Sequence, residues 1–128
     1  MGTSGILTAQ CNGTLYLYFN GQITDFGNYS GSYTVTVNNV TNMAVPATSG
    51  ENLEVGGPGN GVSFGTVTNG GVYPYSASGW CTNAQGLASN PSGRDPDNNL
   101  MDCSSTYLNI TNAVCPMWQC FSLVGKIQ

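Results

Sequence analysis

Apolar and polar side chains alternate with a two-residue period through most of this sequence, and no stretch repeats with the period of about 3.6 residues that marks a helix. Such alternation places successive side chains on opposite faces of a strand, so that one face can be buried. Dipeptides that favour turns, such as Asn-Gly, Gly-Gly and Pro-Gly, separate the alternating runs. The predicted strands cover residues 13–19, 32–38, 61–68, 71–80, 104–111 and 121–127, with weaker candidates at 6–10 and 52–55. Strands spaced in this way indicate an all-β sandwich or barrel.

The chain is 128 residues long and uniform in texture, which predicts a single domain over residues 1–128. Charged residues make up 6% of it, against about 25% in an ordinary globular domain. The polar surface must therefore consist of amides and hydroxyls, which are suitable partners for neutral sugars. An extracellular coat or fibre protein would have the same kind of surface, so composition alone leaves both functions open.

The charge balance speaks against two classes of partner. The net charge is −4, and the cations are Arg94 and Lys126, so there is no basic stripe to bind nucleic acid. The sequence has no apolar run of about 18 residues, so we expect no membrane span.

Five cysteines are present: Cys11, Cys81, Cys103, Cys115 and Cys120. A zinc site is not indicated, because the chain has no histidine and no pair of cysteines separated by two residues. Cys115 and Cys120 could close a small loop, and together with Cys81 and Cys103 they suggest one or two disulfides. Disulfides are typical of oxidising compartments, so we expect an extracellular or cell-surface protein. The odd cysteine is then either free and buried or paired with another chain.

The sequence predicts no catalytic activity. Without histidine, a Ser/His/Asp or Cys/His arrangement is excluded. A carboxylate pair of the glycoside-hydrolase type would have to come from acidic residues whose spacing does not support it. These residues are Asp25, Glu51, Glu54, Asp95, Asp97 and Asp102.

Two polar loops are better candidates for a site. The segment "TDFGNYS" offers Asp25 and Asn28, and the long polar loop at 82–102 offers Asp95 and Asn98. Calcium binds carboxylate, amide and carbonyl oxygens of this kind. Asp, Asn and Gly are also the usual turn-forming residues, and spacing alone favours a turn over a metal site.

Four stretches carry a family resemblance: "TNGGVYPYSASGWCTN" (68–83), "PSGRDPDNNLM" (91–101), "CFSLVGKI" (120–127) and "YFNGQITDFGNYSGSYTVTV" (18–37). They resemble the galactophilic bacterial lectins of the PA-IL type, which are calcium-dependent and bind terminal galactose. The resemblance implies a jelly-roll-like β-sandwich with glycans as ligands.

The order of these stretches differs from that of the family. Residues 1–40 resemble the hairpin that ends the family's chain, whereas residues 41–128 resemble its N-terminal and central part. This order indicates a circular permutation, which sandwich folds tolerate because their termini often lie close together. Alternatively, residues 1–40 of one copy could complete the sandwich of the next, which would generate rings or filaments and a self-assembling homo-oligomer.

The resemblance implies calcium ligands at Gly21, Asp25, Asn28, Tyr29 and Asn83. Asn28 keeps the amide of the family, whereas an acidic ligand is lost at Gly21 and a second amide is lost at Tyr29. Calcium usually needs more carboxylates than Asp25 alone could supply. We therefore expect a metal site of Asp25, Asn28 and Asn83 to bind calcium weakly or not at all.

The resemblance also places sugar contacts in the long loop, at Asp95 in place of a histidine and at Asn98 in place of a glutamine. Both side chains can form hydrogen bonds with sugar hydroxyls. The loops at 20–29 and 91–99 are predicted to form one shallow site. Its predicted carbohydrate-binding residues are Gln22, Asp25, Asn28, Asp95 and Asn98.

Aromatic side chains could stack on a sugar, but most lie at strand positions, where packing against the sheet is commoner. The tyrosines expected to pack are Tyr16, Tyr18, Tyr33, Tyr73, Tyr75 and Tyr107. Trp80 is expected in the core, and Trp118 is the better candidate for exposure.

The sequence therefore predicts a non-catalytic, lectin-like domain for galactoside-type glycans, with its calcium dependence weakened or lost. The alternative is a structural subunit of an extracellular fibre or coat that assembles head-to-tail by strand exchange. A third possibility is an accessory module that binds insoluble polysaccharide.

Overall fold

The computed structural model describes residues 1–21, 28–38, 40–49, 61–83, 86–101 and 120–128. These residues form antiparallel strands and contain no α-helix, so the all-β prediction is confirmed. None of them forms a helix that is long and apolar enough to cross a membrane. The strands are β1 (Ser4–Thr8), β2 (Gly13–Phe19), β3 (Ser30–Val37), β4 (Val40–Pro46), β5 (Val62–Val67), β6 (Val72–Thr82), β7 (Ala88–Ser89) and β8 (Leu123–Ile127).

The strands are arranged in two sheets. The large sheet has the order β1-β6-β3-β4, with β7 paired to one end of β6. Its centre is β6, which pairs with β1 from Ser4↔Ser76 to Thr8↔Val72 and with β3 along its other edge. The small sheet has the order β5-β2-β8.

Both strands of the N-terminal segment lie inside the sheets of their own chain. β2 lies between β5 and β8 in the small sheet, and β3 lies between β6 and β4 in the large sheet. In this structure the chain fills both central positions itself. β2 and β3 do not pair with each other as a hairpin, because they belong to different sheets.

β4 is a strand that the sequence patterns did not predict. Val37 and Val40 face each other across a two-residue connection, and its first residue, Asn38, has a positive φ of 55°. Two-residue hairpin turns require such a backbone, and asparagine adopts it more readily than most residues. The Asn-Asn dipeptide between two valines was thus the signal for this hairpin. The candidate strands at 52–55 and 104–111 lie outside the described residues.

Buried side chains from both sheets pack into one core. Leu15, Leu17 and Phe19 of β2 meet Val35 of β3 and Leu123 of β8, and all five are nearly inaccessible to solvent. Burial of each such side chain contributes about 1.5–3 kcal/mol. Two facing sheets that share a core are the arrangement expected of a β-sandwich.

The burial of the described aromatic residues agrees with the prediction, except at Trp80. Tyr18 and Tyr33 are buried, while Tyr16, Tyr73 and Tyr75 are partly buried against the core, as expected. Trp80, in contrast, is 48% exposed. The core assignment was wrong because even-numbered residues of β6 point outward. Tyr107 and Trp118 lie outside the described residues.

The cysteines differ in part from the prediction. Cys81 is a free thiol and is fully buried within β6, so the suggested disulfide at this position is wrong. Its side chain points inward from a central strand, where it packs as a small apolar residue. Cys11 is also free and is exposed. The suggested pairing of Cys115 with Cys120 and the role of Cys103 involve residues outside the described part of the chain, and stay predictions.

The difference between the two faces of the sandwich can be measured. We expect Leu17→Ala to lower the free energy of unfolding by about 2–5 kcal/mol, because it leaves a cavity in the core. Trp80→Ala should cost less than about 1.5 kcal/mol, since half of its side chain is already exposed to water. Urea unfolding of both variants tests this, and an equal loss in both would contradict the outward position of Trp80.

Candidate functional site

Several chain segments converge where β3 begins and β6 ends. Ser30 pairs with Thr82, so Asn28 and Asn83 lie at the ends of neighbouring strands. The end of β2 joins them, because the Asn20 amide donates to the Ser122 carbonyl at 2.9 Å. We call this region the loop end; it comprises residues 20–21, 28–30, 82–83, 89–99 and 120–122.

The hydroxyl of Tyr33 ties the loop end together from inside the core. It lies 2.6 Å from the Phe121 carbonyl oxygen, 2.8 Å from the Asn90 carbonyl oxygen and 3.0 Å from Ser89 Oγ. With one proton, it can donate to one carbonyl at a time and accept from the serine hydroxyl. Two connections that are distant in sequence are thereby held on one buried atom.

Two buried groups in this region stay uncharged at neutral pH. Desolvation by burial raises the pKa of the Tyr33 hydroxyl far above its ordinary value. Burial also raises the pKa of the Cys81 thiol, to about 12.

Residues 90–99 of the long loop form two successive five-residue turns with the same design. In the first, the Asn90 side-chain oxygen accepts hydrogen bonds from the amides of Ser92 at 2.9 Å and Arg94 at 3.1 Å. The Gly93 amide donates to the Asn90 carbonyl at 2.8 Å. Gly93 has a positive φ of 74°, which closes the turn.

The second turn repeats this pattern with other residues. Asp95 Oδ1 accepts from the amides of Asp97 and Asn99, both at 2.9 Å. The Asn98 amide donates to the Asp95 carbonyl at 2.9 Å, and Asn98 has the positive φ, at 66°. Arg94 Nη1 also donates to the Asn98 carbonyl at 2.8 Å. Side-chain oxygens of Asn and Asp commonly form turns of this type.

A short repeat in the sequence encodes the two turns. Residues 90–94 read "NPSGR" and residues 95–99 read "DPDNN". Each starts with Asn or Asp, continues with a proline that fixes φ, and has a residue tolerant of positive φ in fourth place. The turn role that spacing favoured is thus what the structure shows for Asp95.

The residues predicted to contact sugar keep side-chain atoms that their own turn does not use for hydrogen bonds. Asp95 uses Oδ1 for its turn, which leaves Oδ2 to accept from an external hydroxyl. The side chain of Asn98 is exposed at the turn, and so is that of Asn28 next to β3. Gln22 and Asp25 lie outside the described residues, so their predicted roles stay predictions.

Asn83, a predicted calcium ligand, is engaged in a turn of the backbone. Its side-chain oxygen accepts from the Leu87 amide at 3.0 Å, and its carbonyl accepts from the Gly86 amide at 3.0 Å. The residue is 6% exposed. These bonds connect β6 to β7 and account for the burial of Asn83 without a metal.

Gly21 and Tyr29, the two positions at which ligands are lost relative to the lectin family, contact each other. The Tyr29 ring is buried and packs against Phe19 and Phe121, with ring centroids 5.5 and 6.3 Å apart. A Cβ atom at Gly21 would clash with this ring. An aromatic side chain therefore occupies the space beside Gly21 that a side-chain ligand at that position would need.

Within the described segments, no group of three or more His, Cys, Asp or Glu side chains is placed to hold a metal ion. Because Asp25 lies outside these segments, the prediction of weak or absent calcium binding stays a prediction. Asn28 and Asn83 share the loop end but are joined by no described hydrogen bond.

No family model, no curated protein and no solved structure matches this chain. The resemblance to galactophilic lectins therefore rests on the sequence motifs and stays a prediction.

The role of the Tyr33 hydroxyl predicts a measurable loss of stability. We expect Tyr33→Phe to lower the free energy of unfolding by about 1–3 kcal/mol, because buried carbonyls lose their donor. Tyr73→Phe is a matched control, since the Tyr73 hydroxyl accepts one bond from the Thr68 amide at an exposed site. Urea unfolding compares them; an effect of Tyr33→Phe no larger than that of the control would contradict the role of this hydroxyl.

The contact between Gly21 and Tyr29 predicts coupled mutations. Gly21→Ala should destabilise the fold by about 1–3 kcal/mol, because the added methyl group overpacks the ring. In a Tyr29→Ala background the same change should cost much less, which a double-mutant cycle on urea unfolding would reveal as coupling. Strict additivity would mean that the ring does not fill this space.

Proposed function

We propose that this protein is a non-catalytic carbohydrate-binding domain and that the loop end is its combining site. The observation that carries the proposal is the second turn of the long loop, which presents Asp95 Oδ2 and the Asn98 amide from a backbone that is already hydrogen-bonded. A site that is ordered before the ligand arrives loses little conformational entropy on binding.

The chemistry of these groups suits sugar hydroxyls. A carboxylate oxygen accepts a hydrogen bond from a hydroxyl, whereas an amide can both donate and accept. Asn28 adds a second exposed amide at the same end of the sandwich. The loop end carries two carboxylates, Asp95 and Asp97, and one cation, Arg94, so its net negative charge favours a neutral glycan over a phosphorylated or sulfated one.

The class of sugar and the type of fold follow from the family resemblance. We propose galactoside-type glycans as ligands and a jelly-roll-like sandwich of the galactose-binding lectin type in permuted order. An extracellular or cell-surface location accords with a glycan partner and with the low content of charged residues.

Calcium should contribute little to this binding. The Tyr29 ring lies where a ligand at Gly21 would project, and both oxygens of Asn83 are engaged in a turn. Asp25 would be the principal carboxylate, and Ca²⁺ usually takes six to eight oxygen ligands. We therefore propose binding that is independent of calcium or weakly dependent on it.

The structural-subunit alternative has less support. Assembly by strand exchange requires that a neighbour supply strands at the positions of β2 and β3. In this structure the chain fills both positions itself, so no exchange is needed to complete either sheet.

A glycan array tests the proposal, run once in millimolar CaCl₂ and once in EDTA. We expect galactoside binding in both conditions, because the contacts come from side chains rather than from a metal. No binding in either condition would overturn the proposal, and binding that EDTA abolishes would overturn the calcium part of it.

The two turns of the long loop provide matched variants for the same array. Asp95→Asn keeps the turn, as Asn90 does in the first turn, but replaces the Oδ2 acceptor by a donor. Asn98→Gly keeps the positive φ, as Gly93 does, but removes the amide. We expect each to weaken binding by roughly tenfold or more, whereas the control Asn90→Asp should bind like the wild type.

A further inference from the structure

A second surface of the molecule, remote from the middle of the long loop, has the chemistry of a ligand-binding face. The strands β1, β3, β4 and β6 of the large sheet contain no charged residue. Surfaces of soluble domains usually carry many charged residues, which discourage unwanted association. On this sheet serine and threonine hydroxyls supply the polar surface instead.

The outward side chains of this sheet form regular rows of hydroxyls. Ser4 faces Ser76 on the neighbouring strand, and Ser76 faces Thr36 on the next. In the following row Ser78 faces Thr34. Within a row, neighbouring residues lie on adjacent strands about 4.8 Å apart. Successive rows lie about 6.8 Å apart along each strand. We call Ser4, Ser32, Thr34, Thr36, Ser76, Ser78 and Trp80 the hydroxyl face.

The hydroxyl face contains a shallow, open depression in two adjoining parts. One part is lined by Thr34, Thr36, Ser76 and Ser78, and an adjoining part by Thr36, Pro74 and Ser76. The two parts share Thr36 and Ser76. Small side chains in these rows leave the middle of the sheet accessible to an elongated ligand.

Trp80 stands at one end of the rows. It faces Ser32, which in turn faces Pro46 of β4, and it is 48% exposed. At the other end, Pro74 of β6 faces the exposed Ile6 of β1. Trp80 and Pro74 are six positions apart on one extended strand, a distance of about 20 Å, which is enough for several sugar units.

We infer that the hydroxyl face binds a neutral polysaccharide chain lying along β6, with Trp80 stacking on one of its sugar rings. Aromatic side chains bring apolar area to the C–H face of a sugar, and serine and threonine hydroxyls both donate to and accept from sugar hydroxyls. The absence of charge on these strands disfavours an ionic ligand.

A second protein is a poorer occupant for this face. The cores of protein–protein interfaces are enriched in aromatic residues, methionine and arginine and depleted in serine, and serine and threonine are under-represented among their energetic hot spots. The middle of the hydroxyl face is composed of those two residues. The face is also pre-ordered, because β6 is hydrogen-bonded to strands on both sides.

This inference does not rest on the loop end, so either surface can fail alone. Affinity gel electrophoresis in gels that contain a soluble β-glucan or xylan tests it, since neither polymer is a galactoside. We expect at least one polymer to retard the wild type, and Trp80→Ala to weaken that retardation roughly fivefold or more. Thr66→Ala, at an exposed position of the small sheet, should be retarded like the wild type.

A charge placed in the rows gives a second variant with a matched control. Thr34→Glu puts a carboxylate in the middle of the hydroxyl face and should abolish retardation. Thr66→Glu makes the same change at an exposed position of β5 in the small sheet and should leave it unchanged. Far-UV circular dichroism and thermal unfolding establish that all variants are folded.

Three results would overturn the inference. They are no retardation of the wild type by any of the polymers, equal retardation of the wild type, Trp80→Ala and Thr34→Glu, and a wild-type dimer in sedimentation analysis that Thr34→Glu converts to a monomer without any polysaccharide binding. The last would show that a second copy of the chain occupies this face.

Discussion

The buried hydroxyl of Tyr33 is the interaction on which the arrangement of the loop end depends. It projects from a central strand and reaches the carbonyls of Asn90 and Phe121, which belong to different connections. Because a buried carbonyl without a donor is costly, each connection is confined to the position where it can share this hydroxyl. The contact with Tyr33 therefore fixes the position of the Asn90 turn and of the Asp95 turn that follows it. The exposed polar groups of the site are positioned by these two turns.

The fold places the chain's strands by their side-chain patterns rather than by their order. β2 and β3 are consecutive in sequence, yet they lie in the middle of different sheets. Each strand takes its place in the two layers through its buried face. Both surfaces consist mostly of uncharged polar groups, which are amides at the loop end and hydroxyls on the large sheet. Such groups suit neutral ligands.

Much of the fold could be predicted from the sequence, because alternation is a local signal. It predicted both ends of β2, β3, β5, β6 and β8 to within two residues. β4 was missed because its Asn-Asn turn lacks glycine, and Trp80 was misplaced because its large apolar side chain suggested burial although its position in β6 points outward. The Asp95 turn could have been read from the repeat of "NPSGR" and "DPDNN". The roles of Tyr33 and of the contact between Gly21 and Tyr29 could not, because they depend on residues brought together from distant parts of the chain.

The central claim is that a neutral glycan binds at the loop end, and the most direct test locates the ligand. An NMR titration of the ¹⁵N-labelled protein with methyl β-galactoside would follow every backbone amide. The account predicts saturable shifts centred on Asn28 and on residues 95–99, with β1 and β5 unaffected. Saturable shifts confined to other parts of the molecule, or no shifts at millimolar sugar, would contradict it.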